Sequence, residues 1–336
     1  MQFGKQDWRS FEQGITKEWL LANGKGGFAS STIIGANTRR YHGLLVASLT
    51  PPVERHLIVS KIHETVITDD GSYDLHSFKT PDFQMNGHHH LQRVVIDPLP
   101  TFVYQVGDVL IEKTVSMVYG ENTVAVVYRI VNGPRDIKLK LMPLVNFRDY
   151  HHNSGRWHMD FSKQPCEDGI CIRPYNLELN IRILCSSGVF QPMEDCWFYS
   201  MYYPAENERG LQSTEDHFIP GYFQIDAGPW EEKRVTLIAT TEEKISCMDG
   251  DTIIHREKER IRGLQDKAGY EDDFARRLAA AADSFIVDRK STGAKTIIAG
   301  YPWFTDWGRD TMIAFTGLTL CTRRFEDAKD ILYTFS

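Results

Sequence analysis

The sequence predicts a mainly β protein, a large antiparallel sandwich of many strands that gives way to helices in its last quarter. Two observations predict it. From the N-terminus to about Thr241 apolar residues recur at every second position, the period of a strand whose two faces differ. After Thr241 the period lengthens to that of a helix, with Ile254, Ile261 and Leu264 set among charges. The alternating sets are Val124, Val126, Tyr128 and Ile130; Ile137, Leu139 and Leu141; Leu177, Leu179, Ile181 and Ile183; and Val235, Leu237 and Ala239. Turn residues separate them: Asn132-Gly133-Pro134, Glu167-Asp168-Gly169, Ser186-Ser187-Gly188 and Ala227-Gly228-Pro229.

The first feature in chain order is glycine-rich. Gly24, Gly26 and Ala29 fit a loose dinucleotide fingerprint, G-x-G-x-x-A. That loop needs a helix opening on its last glycine and an acidic residue about 20 positions on. Instead the β-branched run Ser30-Ser31-Thr32-Ile33-Ile34 follows, and no carboxylate comes before Glu54. Glu18-Trp19-Leu20-Leu21 and the residues after Gly27 read as two strands, with Gly24, Gly26 and Gly27 supplying positive φ in the hairpin between them.

His88-His89-His90, after Asn86-Gly87, reads as a solvated loop, because consecutive residues point in different directions and cannot converge on one metal ion. Asp149, His151, His152 and His158 form a second polar cluster just after a strong strand, either a binding site or a loop pinned by Arg148. Further on, Tyr270, Phe274, Leu278, Ala281 and Phe285 make one stripe of an amphipathic helix, and Thr311–Leu320 and Glu326–Phe335 read as two more helices. The last of these ends without a cap, Gly or Pro, so the chain is expected to stop soon after a second domain begins.

Composition narrows the function. The 336 residues carry a net charge of −7, which argues against a phosphate-binding footprint and so against a nucleic-acid partner. No apolar run reaches the ~18 residues of a membrane span, and Met1–Trp8 lacks the apolar core of a signal peptide. The six cysteines, scattered without a C-x-x-C pair, read as buried, reduced thiols of a cytoplasmic protein. No cofactor and no metal site is expected.

The stretch AGYPWFTDWGRDTMIAFTGL, Ala299 to Leu318, crowds Trp303, Asp306, Trp307, Arg309 and Asp310 into a loop that opens an apolar helix. Asp306 or Gly308 could cap that helix and Asp310 favour its dipole. Capping leaves Trp303 and Trp307 unexplained. An arginine fork and a carboxylate bridge vicinal hydroxyls, and an indole face stacks on the C–H side of a sugar ring, so the stretch points to carbohydrate.

At these residues the sequence resembles a family, the bacterial and archaeal glycogen debranching enzymes or amylo-α-1,6-glucosidases. NGKGGFASSTIIGANTRRYHGLLVAS (Asn23 to Ser48), PLVNFRDYHH (Pro143 to His152) and AGYPWFTDWGRDTMIAFTGL follow the family's order. The resemblance implies an antiparallel β-supersandwich over 1–241, a helical linker over 242–290 and the start of an (α/α)6 catalytic barrel over 291–336. It implies inverting hydrolysis of the α-1,6-linked glucose at a branch point of glycogen or a similar α-glucan. It places Trp307, Arg309 and Asp310 on the hydroxyls of the terminal glucose. An inverting glycosidase needs an acid and a base about 6.5–9.5 Å apart. The family draws these from later in the barrel, so the catalytic pair is expected beyond Ser336 and the chain alone is expected to be inactive.

Two further segments, Arg39-Arg40-Tyr41-His42 and Arg148-Asp149-Tyr150-His151, are richer in polar and aromatic groups than packing requires. Arg39, Tyr41, Arg148 and His151 are therefore expected on the same side of the sandwich as Trp303–Asp310, forming one wall of a glucan site. The alternative is that they pin hairpins within the sandwich. Other readings of the whole are a non-catalytic glucan-binding module and a related barrel enzyme such as a glucoamylase or a disaccharide phosphorylase.

Overall fold

Two large antiparallel sheets dominate the computed structural model, which describes residues 1–335. One has nine strands in the order Gln2–Gly4, Leu91–Ile96, Pro100–Val106, Val109–Met117, Thr123–Val131, Glu232–Thr240, Ile181–Cys185, Gly169–Pro174 and Phe161–Cys166. The other has eight: Val189–Tyr202, Thr214–Ala227, Ile137–Asp149, Val53–Thr68, Gly43–Thr50, Phe28–Thr32 and Glu18–Ala22 in a row, with Gly71–Asp74 paired to Val53–Thr68. The protein is thus mainly β, as its period-two pattern predicts.

A single apolar core lies between the sheets. Val124, Val126, Tyr128 and Ile130 from the nine-stranded sheet pack into it with Leu45, Ala47, Ile58, Ile62, Leu139 and Leu141 from the other. The strands' other faces are covered too, by different parts of the chain. Ala125 and Ile238, on the outer face of the nine-stranded sheet, meet Ile253 of the helix Gly250–Ala268. Asp249 caps that helix by accepting from the Thr252 N–H, and position 250 is glycine because a Cβ there would lie 2.3 Å from the Thr236 hydroxyl oxygen. On the outer face of the eight-stranded sheet, Phe28, Val46 and Leu57 gather with Tyr41, Tyr150, Tyr301 and Trp303. Strand alternation thus sends Leu45 inward and Val46 outward, and the outward set meets the loop that follows Tyr301.

Several expectations need correction. Gly24 and Gly26 turn the hairpin between Glu18–Ala22 and Phe28–Thr32 at φ +74° and +89°. Gly27 does not adopt positive φ; it is glycine because a Cβ would sit 2.9 Å from the Val46 carbonyl oxygen. Leu177 and Leu179 precede the strand, which begins at Ile181. His88 is buried in a short helical turn against Ser77 and is not solvated. Of the cysteines only Cys185 is buried, and Cys321 is exposed. The helix Thr311–Leu320 instead runs from Gly308 to Phe315 and continues as a wider π turn over Thr316–Leu320. The last helix spans Phe325–Thr334, and Ser336 lies outside the described residues. A hairpin of Ile286–Arg289 and Ala294–Ile297, not foreseen, crosses the expected boundary at 290. The stripe on Asp273–Asp283 is largely exposed, with Phe274 at 68% and Leu278 at 55%; alanines 279 and 282 face inward. Among the described residues no helix is long and apolar enough to cross a membrane.

A polar network lies buried along the strands Ile137–Asp149 and Thr214–Ala227. Arg148 donates from Nε to Glu215 Oε1 at 2.5 Å and from Nη2 to Oε2 at 2.8 Å, and Tyr203 donates to the same carboxylate at 2.7 Å. Asn146 Nδ2 donates to His217 Nδ1 at 3.2 Å, which leaves the imidazole proton on Nε2, 3.3 Å from the Tyr203 oxygen. Burial pushes the His217 pKa down to about 4, and the nearby Glu215 charge does not offset it. The unfolded chain therefore binds a proton that the folded chain refuses, and stability falls as pH drops from about 6.5 to about 4. This group alone contributes a loss of about 3 kcal/mol over that window. Urea midpoints measured across it should show a shallower slope for His217→Gln than for the unaltered protein; equal slopes would refute the assignment.

Candidate functional site

The segment from Tyr301 to Trp307 lies against the outer face of the eight-stranded sheet, and a cleft opens where the two meet. Its volume is about 770 Å³, and its walls include Tyr41, Tyr150 and His151 from the sheet side and Trp303, Phe304 and Trp307 from the loop. Tyr150 donates its hydroxyl to the Trp303 carbonyl at 3.2 Å. The Tyr41 ring meets the Trp303 indole edge-on, with centroids 6.2 Å apart, and the Arg39 guanidinium lies 5.6 Å from the centre of the same indole. Arg39 is held there by Glu18, whose Oε1 accepts from Arg39 Nε at 2.8 Å.

Tyr41 and His151 act as a pair. Burial raises the Tyr41 pKa, aided by the Glu206 charge, so its hydroxyl stays protonated. Burial lowers the His151 pKa against the pull of Asp149, so the imidazole is neutral near pH 7. Tyr41 Oη and His151 Nδ1 are 3.1 Å apart and share a hydrogen bond whose direction follows the imidazole tautomer. Arg40 fixes the position of His151 by donating from Nη1 to its carbonyl at 2.6 Å, while its Nε faces the fully buried Glu206 at 3.3 Å. The His151 backbone N–H in turn donates to Asp149 Oδ1 at 2.8 Å.

On the loop side, Trp307 occupies the residue before the helix Gly308–Phe315 and is 62% exposed. Asp310 lies in the helix's first turn, 3.5 Å from Arg309 Nε, and the Arg309 side chain is 84% exposed. These two groups are available to a ligand and have little else to hold them.

The structure brings together Trp303, Trp307, Tyr41 and His151 on the cleft, with Arg39 behind Trp303. Of the other expected site residues, Arg309 and Asp310 stand outside this lining, and Arg148 and Asp306 are engaged elsewhere. Arg148 is buried in its ion pair with Glu215 and also donates to the Arg40 carbonyl at 2.6 Å, so it supports the 39–42 turn from beneath and touches no cleft. Asp306 neither caps the helix nor faces the cleft: its Oδ2 accepts from Arg289 Nε and Thr296 Oγ1, both at 3.0 Å, which ties the loop to the hairpin before it. Arg209, on the cleft wall, was missed by the sequence reading. Its one local signal is the short helix Pro204–Glu208 with proline in its first turn, which Arg209 ends. Among the described residues no group of three or more His, Cys, Asp or Glu is arranged to hold a metal ion.

Residues 17–234 match the family model for the glycogen debranching enzyme N terminal region, and residues 280–336 match that for amylo-alpha-1,6-glucosidase. No curated protein matches the chain. Among solved structures, a bacterial glucoamylase complexed with acarbose is 11% identical, with a TM-score of 0.46 over 94% of this chain and 47% of its own. A protein described as a kojibiose phosphorylase from the human microbiome is 11% identical, with a TM-score of 0.44 over 83% of this chain and 40% of its own. The chain therefore spans less than half the length of either.

Proposed function

This chain belongs to the glycogen debranching enzyme N-terminal family, and from that premise we propose that it binds branched α-glucan for the hydrolysis of α-1,6-linked glucose. The observation that carries the proposal is the cleft itself, whose wall joins the Trp303–Trp307 loop to Tyr41, Tyr150 and His151 in one aromatic lining. Indole and phenol rings offer flat apolar faces to the C–H side of pyranose rings, and the few polar groups between them orient hydroxyls. In this reading Arg309 and Asp310 hold the terminal glucose, and Tyr41, His151 and Arg209 contact the glucan beyond it. Residues 1–241 form the β-supersandwich, a helical link follows, and the start of an (α/α)6 barrel comes after the hairpin of Ile286–Arg289 and Ala294–Ile297.

The residues lining the cleft include no carboxyl group. An inverting glycosidase requires one carboxylic acid and one carboxylate, so the proposal gives these residues binding roles and leaves the acid and base to other parts of the catalytic domain. The same lack favours a second reading, a glucan-binding module without catalysis.

Titration with maltohexaose and with a branched limit dextrin, followed by tryptophan fluorescence, tests the proposal. Both sugars should bind, and Trp307→Ala should weaken binding about tenfold, a loss of about 1.4 kcal/mol, with the thermal midpoint unchanged. The 336-residue chain should release no glucose from the dextrin. Absence of binding refutes the site, whereas glucose release would make Asp310 a candidate for the acid.

A further inference from the structure

Arg55 lies in the strand Val53–Thr68, on the outer face of the eight-stranded sheet beside Leu57, and is fully buried. Among the described residues no carboxylate pairs with it. Its Nη1 donates to the Phe304 carbonyl at 3.0 Å and reaches the Pro302 carbonyl at 3.5 Å. The rest of the guanidinium is enclosed by rings: Tyr301 at 5.1 Å, Tyr150 at 5.4 Å and Phe28 at 5.9 Å from their centres. Nε and Nη2 have no hydrogen-bond partner among the described residues. A buried charge without a counter-ion is costly, and an apolar side chain would serve packing at this position better. What the arginine adds is a rigid fork that reaches the loop's backbone from the sheet, with π faces to hold it flat.

We propose that Arg55 is a positioning residue for the saccharide cleft. It fixes the Tyr301–Phe304 segment on the sheet, and with it the positions of Trp303 and Trp307 on the cleft wall beside Tyr41 and His151. The proposal rests on the reading that this cleft takes a glucan. Arg55 acts through the backbone of the residues flanking Trp303, while Tyr150 holds the Trp303 carbonyl itself. Two hydrogen-bonding groups from one sheet thus grip adjacent carbonyls of one loop. A lysine keeps the charge but not the fork, and a methionine keeps neither.

The test compares the unaltered chain with Arg55→Lys and Arg55→Met by amide hydrogen exchange and by maltohexaose titration. In Arg55→Met, exchange over residues 299–307 should rise at least about tenfold, by about 1.4 kcal/mol of lost local protection. The strands Gly43–Thr50 and Ile137–Asp149 should keep their protection, and maltohexaose affinity should fall about tenfold. Arg55→Lys should recover part of both losses. The proposal is overturned if loop exchange is unchanged, or if the loop loosens while affinity stays the same. It is also overturned if both variants loosen the whole sandwich or fail to fold, because Arg55 is then a core residue and nothing more. If the unaltered chain takes up no maltohexaose, the glucan reading falls, and the exchange data alone decide whether Arg55 holds the loop.

Discussion

Arg148→Met should destabilise the chain by about 3–5 kcal/mol, the cost of leaving one member of a buried ion pair without its partner. Glu215 would remain fully buried, its carboxylate keeping only the Tyr203 hydroxyl and the Ser154 N–H and hydroxyl as donors. The attraction of Arg148, together with its hydrogen bonds, holds the Glu215 pKa below its usual value against the opposing effect of burial. Without it, Glu215 should take up a proton on folding, and the variant should lose stability as pH rises above about 4.5. Arg148→Met combined with Glu215→Gln should be less damaging than Arg148→Met alone, since the uncompensated charge is gone. Urea unfolding checks both statements. A cost below about 1 kcal/mol for the single variant would mean that the pair contributes no more than a surface bridge. Because Arg148 also donates to the Arg40 carbonyl, the variant should in addition loosen the turn that carries Tyr41.

Asp310→Asn should lower kcat/KM on a limit dextrin by one to two decades in a chain that includes the complete catalytic domain. That range is the worth of one charge-assisted hydrogen bond to substrate, about 1.5–3 kcal/mol. The fold should tolerate the change. Asp310 sits in the first turn of an eight-residue helix beside an exposed arginine, where its charge adds only about 0.3–1 kcal/mol through the helix dipole. Unchanged kinetics with a lowered thermal midpoint would make Asp310 a helix-end residue only.

Local pattern made a large part of this molecule legible. Val124, Val126, Tyr128 and Ile130 announce a strand whose alternate side chains face a core, and they form one. The glycines at 24 and 26 announce a turn rather than a phosphate loop, because only a residue without Cβ adopts their φ cheaply. The density of indole, arginine and carboxylate between Trp303 and Asp310 marks the loop that lines the cleft. Less legible was which residues of each polar stretch face that cleft. Arg148 and His151 stand three positions apart at the end of the same strand, yet one is buried against Glu215 and the other lines the opening. Asp306 and Asp310 look alike in sequence, and a hairpin that the periodicity does not reveal claims the first.

The sequence by itself determined the class of most segments and the chemistry of the loop, because strand and helix periods, turn glycines and side-chain types are local properties. Only the tertiary structure decided what covers the outer face of each sheet. That face is apolar or charged according to a partner far along the chain: Arg55 finds its hydrogen bond at Phe304, 249 residues away. In the continuously apolar runs 44–47 and 57–59 the two strand faces look alike, so the letters do not say that Val46 and Leu57 point away from the sandwich core or what lies there. A buried arginine and an exposed one have the same letter. The difference between them is the free energy of desolvation, and that is set by distant residues that arrive only when the chain has folded.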